Sequence, residues 1–336
     1  MKIAVVGGGV VGLSTTAELI RLGHDVTCFE AGEPMGERSA GDTRIFRLAH
    51  AHPDMVELAA RSRRLFPDGV IDEVGTVVSG PGSETWARAM AEAGAVHETP
   101  DAGLRLPARD ITGPVLLDPA GGVIRVDRLR AHLIGISHRH LRAARVDLLE
   151  FAGDRVRVWS PDGPEVFDTA LICAGAETST LAGGVGITVP SALEHHVRFS
   201  FPIRADAPQP MQCWITLGEF GTYQHRAAPG TWAIGADVDP AKVSWAGGRE
   251  AAEQASHEAV TAYVIKELPF LEPRVTGSLY CTHDPDLSDG LQFLRGGPVL
   301  TVYGENLMKF APLLGSILAE ALVDGSTPVD AGPNAR

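Results

Sequence analysis

Gly7, Gly9 and Gly12 are spaced G-x-G-x-x-G in the run Gly7-Gly8-Gly9-Val10-Val11-Gly12, and Glu30 follows 18 residues beyond the last of them. That pattern is suited to holding a dinucleotide. Gly7 permits a tight turn, Gly9 lets the backbone approach a pyrophosphate, and Gly12 lets a helix pack closely on a strand. The N–H groups of Val10, Val11 and their neighbours at the helix start would meet the phosphates with the positive end of the helix dipole. The Glu30 carboxylate would accept hydrogen bonds from ribose hydroxyls, which favours a free 2′-hydroxyl, hence NAD or FAD over NADP. A glycine-rich turn can also serve packing alone, so the flanking elements decide.

Those elements are the required ones. Ile3 to Val6 is an unbroken apolar run, the mark of a strand buried on both faces. Helical periodicity follows in Leu13, Thr16, Ala17 and Ile20, with Gly23 as its stop. Val26-Thr27-Cys28-Phe29 is a second strand, and it delivers Glu30 at its end.

Two further groups of residues could do chemistry. Arg44 and Arg47 are three apart, so in helical or turn geometry they would share a side and could grip a carboxylate. The competing reading is a pair of structural salt bridges with Asp42 or Glu37. Lys309 precedes Pro312, which suits a first helical turn, and Leu314, Leu318, Ala321 and Leu322 form one apolar face ending near Gly325. The start of that helix carries positive potential, and Lys309 either adds to it or snorkels at the surface.

Ser39-Ala40-Gly41-Asp42-Thr43-Arg44-Ile45-Phe46-Arg47 resembles the G-D-T-R-x-x-R segment of the monomeric sarcosine oxidase and N-methyltryptophan oxidase family, within the D-amino-acid-oxidase-like group of FAD amine oxidases. Asp118-Pro119-Ala120-Gly121-Gly122-Val123-Ile124 matches that family's return to its FAD domain. Leu171-Ile172-Cys173-Ala174-Gly175-Ala176 looks like its strand and turn beside the flavin. Met308-Lys309-Phe310-Ala311-Pro312 opens a helix as its H-G-F-K-F-type segment does. The matches run in order from residue 1 to about residue 325, weakest in the middle. The resemblance implies FAD, held by Gly7, Gly9, Val10, Val11, Gly12, Glu30, Thr43, Arg44, Ala174, Gly175 and Lys309. It also implies Arg47 and Lys309 on a substrate carboxylate, Arg44 supporting the flavin, and Tyr223 in the pocket. Glu305, close before Lys309, could hold a substrate ammonium or be a solvated loop acid.

Three departures qualify the resemblance. In Gly277-Ser278-Leu279-Tyr280-Cys281-Thr282, Ser278 aligns with the family's flavin-tethering cysteine, so non-covalent FAD is expected; Cys281 would serve only through a register shift. Ala233 or a neighbour stands where the family has its oxygen-activating lysine, which leaves a sluggish oxidase or a dehydrogenase open. Ser39-Ala40 replaces the family's histidine before Gly41.

The expected fold is α/β (α+β overall): a Rossmann-like FAD-binding domain of residues 1–73, 118–189 and 282–336, interleaved with an antiparallel-sheet substrate domain of residues 74–117 and 190–281. Helices are expected over Asp54–Phe66, Glu84–Ala93, from about Asp127, and over Ala251–Leu268. Short β-like runs fill Val74 to Asp118, and alternation such as Val197-Phe199-Phe201 marks the second sheet. Only the last dozen residues look loose. His195-His196 is not read as a metal pair, because adjacent strand residues point to opposite faces.

A net charge of −13, from 29 Lys plus Arg against 42 Asp plus Glu, argues against nucleic-acid and anionic-membrane partners. No run of about 18 apolar residues suggests a membrane span, and the N-terminus reads as the start of a folded domain. The four cysteines are scattered, without zinc-ligand spacing, so no metal and a cytoplasmic setting are expected. The function expected is FAD-dependent oxidation of a C–N bond in a small amino acid or a secondary or cyclic imino acid, with oxygen or another electron acceptor, by a monomer or small homo-oligomer. A same-fold dehydrogenase, a 2-hydroxy acid enzyme and a non-catalytic FAD-binding subunit are the alternatives.

Overall fold

The computed structural model describes residues 1–99, 105–106, 109–110, 113–190, 192–207, 211–287 and 290–333. The expected β-like runs between Val74 and Asp118 lie partly outside these residues. The Ile3–Val6 run becomes the strand Lys2–Val6 at the centre of a six-stranded sheet, between Asp25–Glu30 and Thr169–Ile172. Leu141–Ala143 lies beyond the first neighbour, and Val299–Gly304 with Leu291–Gly296 beyond the second. All pairs are parallel except the last, Leu291–Gly296 with Val299–Gly304. Both faces are covered. Ile3, Val5 and Leu171 pack under the helices Val10–Arg21, Val126–Ser137 and Ala311–Asp324, whereas Ala4, Val6 and Ile172 pack with Val156, Val158 and Phe167. The latter belong to a meander of three strands, Leu148–Ala152, Arg155–Ser160 and Gly163–Phe167, which the sequence reading did not anticipate.

The second sheet has seven strands in the order Gly277–His283, Glu194–Pro202, Thr231–Ala236, Thr222–Ala228, Cys213–Thr216, Thr76–Ser79 and Val115–Asp118. Its pairings are antiparallel except that Cys213–Thr216 runs parallel to Thr76–Ser79, a departure from the wholly antiparallel expectation. Period-2 alternation gives this sheet two unlike faces. Val197, Phe199, Phe201, Trp232 and Ile234 bury one face against Val260 and Val264 of the helix Arg249–Glu267. The opposite face carries His196, Arg198, Tyr223, His225 and Cys281. A small sheet of Thr43–Phe46, Gly122–Arg125 and Ile71–Asp72 accompanies the two larger ones. We propose the domain division 1–73, 118–189 and 282–336 against 74–117 and 190–281, since it follows which sheet each strand joins; Val115–Asp118 and Gly277–His283 each overrun a boundary by one or two residues.

Helices stand within a few residues of their expected positions: Pro53–Arg63, Ser83–Glu92, Val126–Ser137 and Arg249–Glu267. The C-terminal residues are a correction. Ala331 and Leu291 exchange backbone hydrogen bonds at 2.8 and 3.0 Å, and Gly332 N–H donates to Asp54 Oδ2 at 2.8 Å, so the segment is tied to the sheet edge. No helix among the described residues is long and apolar enough to cross a membrane.

Helices Val10–Arg21 and Ala311–Asp324 touch backbone to backbone: a Cβ on Gly315 would stand 2.7 Å from the Ser14 carbonyl oxygen. Gly315→Val therefore has to push the helices apart and should lower stability by about 1–3 kcal/mol, read as a lower urea midpoint at unchanged m-value.

Candidate active site

The glycine turn has the geometry its spacing implies. Gly7 has φ +111°, and a Cβ there would meet the Cys173 carbonyl oxygen at 2.5 Å; on Gly12 it would meet Gly7 O at 1.9 Å. Gly9 differs, since a Cβ would find only Ser39 Oγ, at 3.3 Å, so its outer side is open. Val10 N–H donates to that Ser39 hydroxyl at 3.0 Å, and Val11 follows in the first helical turn. Glu30 Oε2 accepts from Gly8 N–H and Oε1 from Gly32 N–H, both at 2.7 Å, which fixes the carboxylate beside the turn with lone pairs left for hydroxyl donors. Ala174 and Gly175 follow the adjacent strand end, and Gly175, Arg38, Gly304 and Glu305 line one cleft. An open glycine, a helix start and a held carboxylate at the carboxyl edge of a parallel sheet fit a dinucleotide such as FAD.

Beyond Ser39 the chain brings cations together. Arg44 donates to the carbonyls of Thr43 at 3.0 Å, Arg38 at 3.3 Å and Ala40 at 2.5 Å. Arg198, on the second sheet, donates through Nη1 to the same Thr43 carbonyl at 2.9 Å and contacts His225 Nε2 at 3.3 Å. Thr43 Oγ1 completes the group, 3.0 Å from His225 Nε2. Burial first, then the Arg44 charge, lowers the Arg198 pKa to about 10; burial likewise lowers that of Arg44.

A polar row continues along this face. Tyr223 covers Gly235, where a Cβ would clash with its ring at 2.1 Å, and its hydroxyl shares a 2.8 Å hydrogen bond with His196 Nε2. His283 stands 6.0 Å from His196 between ring centres and contacts Glu305 Oε2 at 3.3 Å. Glu305 Oε1 accepts from Arg38 Nη2 at 3.0 Å and from the Asp284 N–H at 2.8 Å. Burial, then the His283 charge, pushes His196 down to about 4 and keeps it neutral. Burial would lower His283 too, but its hydrogen bond to Glu305 and that residue's charge outweigh it and hold His283 above its ordinary value.

Arg47 and Lys309 meet elsewhere. Buried Arg47 donates to the Ala49 carbonyl and lies 4.6 Å over the Trp86 ring. His50 stacks on Trp86, ring centres 6.3 Å apart, and reaches Phe310 at 5.6 Å; buried Lys309 Nζ is 5.6 Å from the Phe310 ring. Asp118 holds the segment after Arg47, its Oδ2 accepting from Leu48 N–H at 2.5 Å and Ala49 N–H at 3.2 Å.

Several expectations change. Arg44 and Arg47 do not share a side, because Thr43–Phe46 is a strand and a spacing of three there alternates faces. The acid partners Asp42 and Glu37 are not those of Arg44, which bonds carbonyls. Glu305 is no solvated loop acid; its carboxylate is engaged by Arg38, His283 and a backbone N–H. Ser278 is exposed and paired with Phe199, hence on the helix side of the sheet, whereas Leu279 pairs with Arg198 and Cys281 with His196 on the site side. Ala233 is buried on the site side, paired with Ser200 and His225. Sequence reasoning missed Arg198, His225 and Asp118. A signal for Arg198 existed: His196, Arg198 and Ser200 are the polar complement of the Val197-Phe199-Phe201 alternation.

A family model described as FAD dependent oxidoreductase (DAO) matches residues 2–321, and the chain belongs to that family. No curated protein matches it in sequence. Among solved structures, NikD, described as an unusual amino acid oxidase essential for nikkomycin biosynthesis, is 21% identical with TM-score 0.80, over 97% of this chain and 94% of that one. Iminodiacetate oxidase from Chelativorans sp. BNC1 is 18% identical with TM-score 0.76, over 97% and 96%. L-proline dehydrogenase from P. horikoshii is 15% identical with TM-score 0.74, over 97% and 94%. At these identities the structures show a shared fold. The protein is thus an FAD-dependent oxidoreductase with the α/β, DAO-like architecture.

Two measurements follow from the site. Below about pH 6.5 the unfolded chain binds a proton that folded His196 refuses, so its contribution to stability is lost as pH falls toward 4. His283 has the opposite sign: its contribution is complete below 6.5 and lost as pH rises through its raised folded value. Denaturant midpoints across this range should therefore fall less steeply on the acid side in His196→Asn and on the alkaline side in His283→Asn. Separately, acid precipitation should release the flavin into the supernatant; yellow colour in the pellet that disappears in Cys281→Ser would make Cys281 a tether.

Proposed function

We propose that the protein oxidises a C–N bond of a small amino acid or of a secondary or cyclic imino acid, leaving an imine that hydrolyses or is used directly. The observation that carries this reading is the convergence of two buried cations, Arg47 and Lys309, on one aromatic cluster in a chain of the FAD dependent oxidoreductase family. Bound FAD supplies the two-electron acceptor, at flavin N5. The substrate carboxylate pairs with Arg47 and Lys309, which sets the carbon bearing nitrogen toward the cofactor. Asp118 keeps Arg47 in register by holding the Leu48 and Ala49 N–H groups. The amine must be neutral to release hydride, and nearby cations lower its pKa, favouring that form. Tyr223, anchored by His196, walls the pocket on the second sheet. Arg44 supports the flavin in its reduced state.

The similar structures are described as enzymes of amino acids, iminodiacetate and proline, which supports the substrate class. Ala233, where the resembling family has a lysine, supports a second reading in which the acceptor is not oxygen. Anaerobic bleaching of the flavin by amino or imino acids, followed by admission of air, tests both: bleaching fixes the substrate class, and slow recovery of colour in air identifies a dehydrogenase. Bleaching by 2-hydroxy acids alone would sink the amine reading, and bleaching by neither class would point to a binding subunit. Arg47→Ala should raise KM for a carboxylate substrate about tenfold or more; an unchanged KM removes Arg47 from the anchor.

A further inference from the structure

Arg198 is only 8% exposed, and it sits mid-strand between Gly235 and Leu279 on the site side of the seven-stranded sheet. A single nitrogen, Nη1, makes both of its hydrogen bonds, to the Thr43 carbonyl and to His225. Among the described residues no carboxylate pairs with it; Asp42 acts on it only through its field. Arg44 donates to the same Thr43 oxygen and otherwise only to the carbonyls of Arg38 and Ala40. Two guanidinium groups therefore meet on one neutral oxygen, Arg198 buried and Arg44 half-buried, with no carboxylate paired to either among the described residues. Such a pair is costly to bury and repels itself, so a ligand that brings negative charge stabilises it.

His225 fits the same account. A guanidinium can only donate, so Nε2 must present its lone pair and the ring proton sits on Nδ1. That Nδ1 has no partner among the described residues, and the ring is wholly buried. Burial and the charges of Arg198 and Arg44 hold its pKa well below the ordinary value, so it accepts without adding a third positive charge. Ser39, whose hydroxyl meets the helix start at Val10, and Thr43 lie on one short segment. The cation pair thus stands one loop away from the phosphate cradle, on the path of a dinucleotide crossing the strand ends.

We propose that Arg198 faces the flavin ring from the second sheet and, with Arg44, balances the negative charge the ring gains on reduction, while His225 is the positioning residue that holds Arg198. The proposal rests on the family's cofactor and not on the choice of substrate.

Sulfite is the probe. It adds through its sulfur lone pair to N5 of oxidised flavin, giving a bleached anionic adduct without any amine. Titration of the FAD-loaded enzyme, read per bound flavin, should show a sulfite dissociation constant raised about tenfold or more in Arg198→Met and restored to within about threefold in Arg198→Lys. The flavin midpoint potential should fall in Arg198→Met and recover in Arg198→Lys. His225→Leu should show a smaller loss, and His225→Gln, which keeps an acceptor, should recover it. If Arg198→Met loads too little FAD, Arg198→Gln gives the same comparison with a neutral polar side chain. Wild-type sulfite affinity and potential in the neutral variants overturn the proposal, and so does a defect confined to KM for a carboxylate substrate. Failure of every amine to bleach the flavin would remove the proposed activity yet leave the sulfite comparison intact.

Discussion

Two helices meet at glycine, and the site is built around that contact. Ser14 lies one turn into Val10–Arg21, and Gly315 lies one turn into Ala311–Asp324. Because Gly315 leaves no side chain between them, the first turns of both helices are held side by side. Their positive ends reach the same edge of the six-stranded sheet, one at the open Gly9 turn and the other just after Lys309. A dinucleotide laid across that edge would find its pyrophosphate at the first helix and its far end near the second. Neither position survives without the close approach, which Gly12 repeats on the strand side by passing tight against Gly7 O.

Charge is distributed against the molecule's average. The chain carries −13 overall, yet Arg38, Arg44 and Arg198 stand close together around Thr43, and Arg47 and Lys309 around a second, aromatic cluster. They are handled in different ways. Arg38 has an acid, Glu305, which also takes His283 and a backbone N–H. Arg47 is spread over the Trp86 face, an arrangement a guanidinium tolerates better than an ammonium because it is planar and weakly hydrated. Arg44 and Arg198 rely on carbonyl oxygens. Among the described residues Arg38 has a carboxylate partner and Arg44 and Arg198 pair with none, which separates a structural clamp from cations poised for a ligand.

The parts legible in sequence are those determined by local backbone geometry. The glycine turn, the apolar run before it and the helix after it depend on residues within a few positions of one another, so their spacing reads directly. Gly23, with φ +80°, ends its helix for the same local reason. The Arg44–Arg47 relationship was not legible, because the same spacing puts two residues together on a helix and apart on a strand. That segment is a strand only because Gly122–Arg125, far along the chain, pairs with it. The meander from Leu148 to Phe167 went unread for a different reason: its central strand alternates, Arg155-Val156-Arg157-Val158, but over too few residues to stand out alone.

Arg198 shows the limit most sharply. Its strand reads as a half-buried one, apolar at alternate positions, and the ordinary inference is that the polar positions face solvent. Here both faces are covered, one by the helix Arg249–Glu267 and the other by the segment containing Thr43. Nothing in the alternation says that the polar face meets protein; that follows from the chain folding Thr43 over it, 155 positions away. Once that face is covered, each polar side chain on it needs a partner or a ligand. His196 finds Tyr223, Cys281 lies among the arginines, and Arg198 finds one carbonyl and one neutral ring. A sheet that spends its polar face on a closed interface, and leaves part of its charge there unmatched, is organised around something that enters between the sheets.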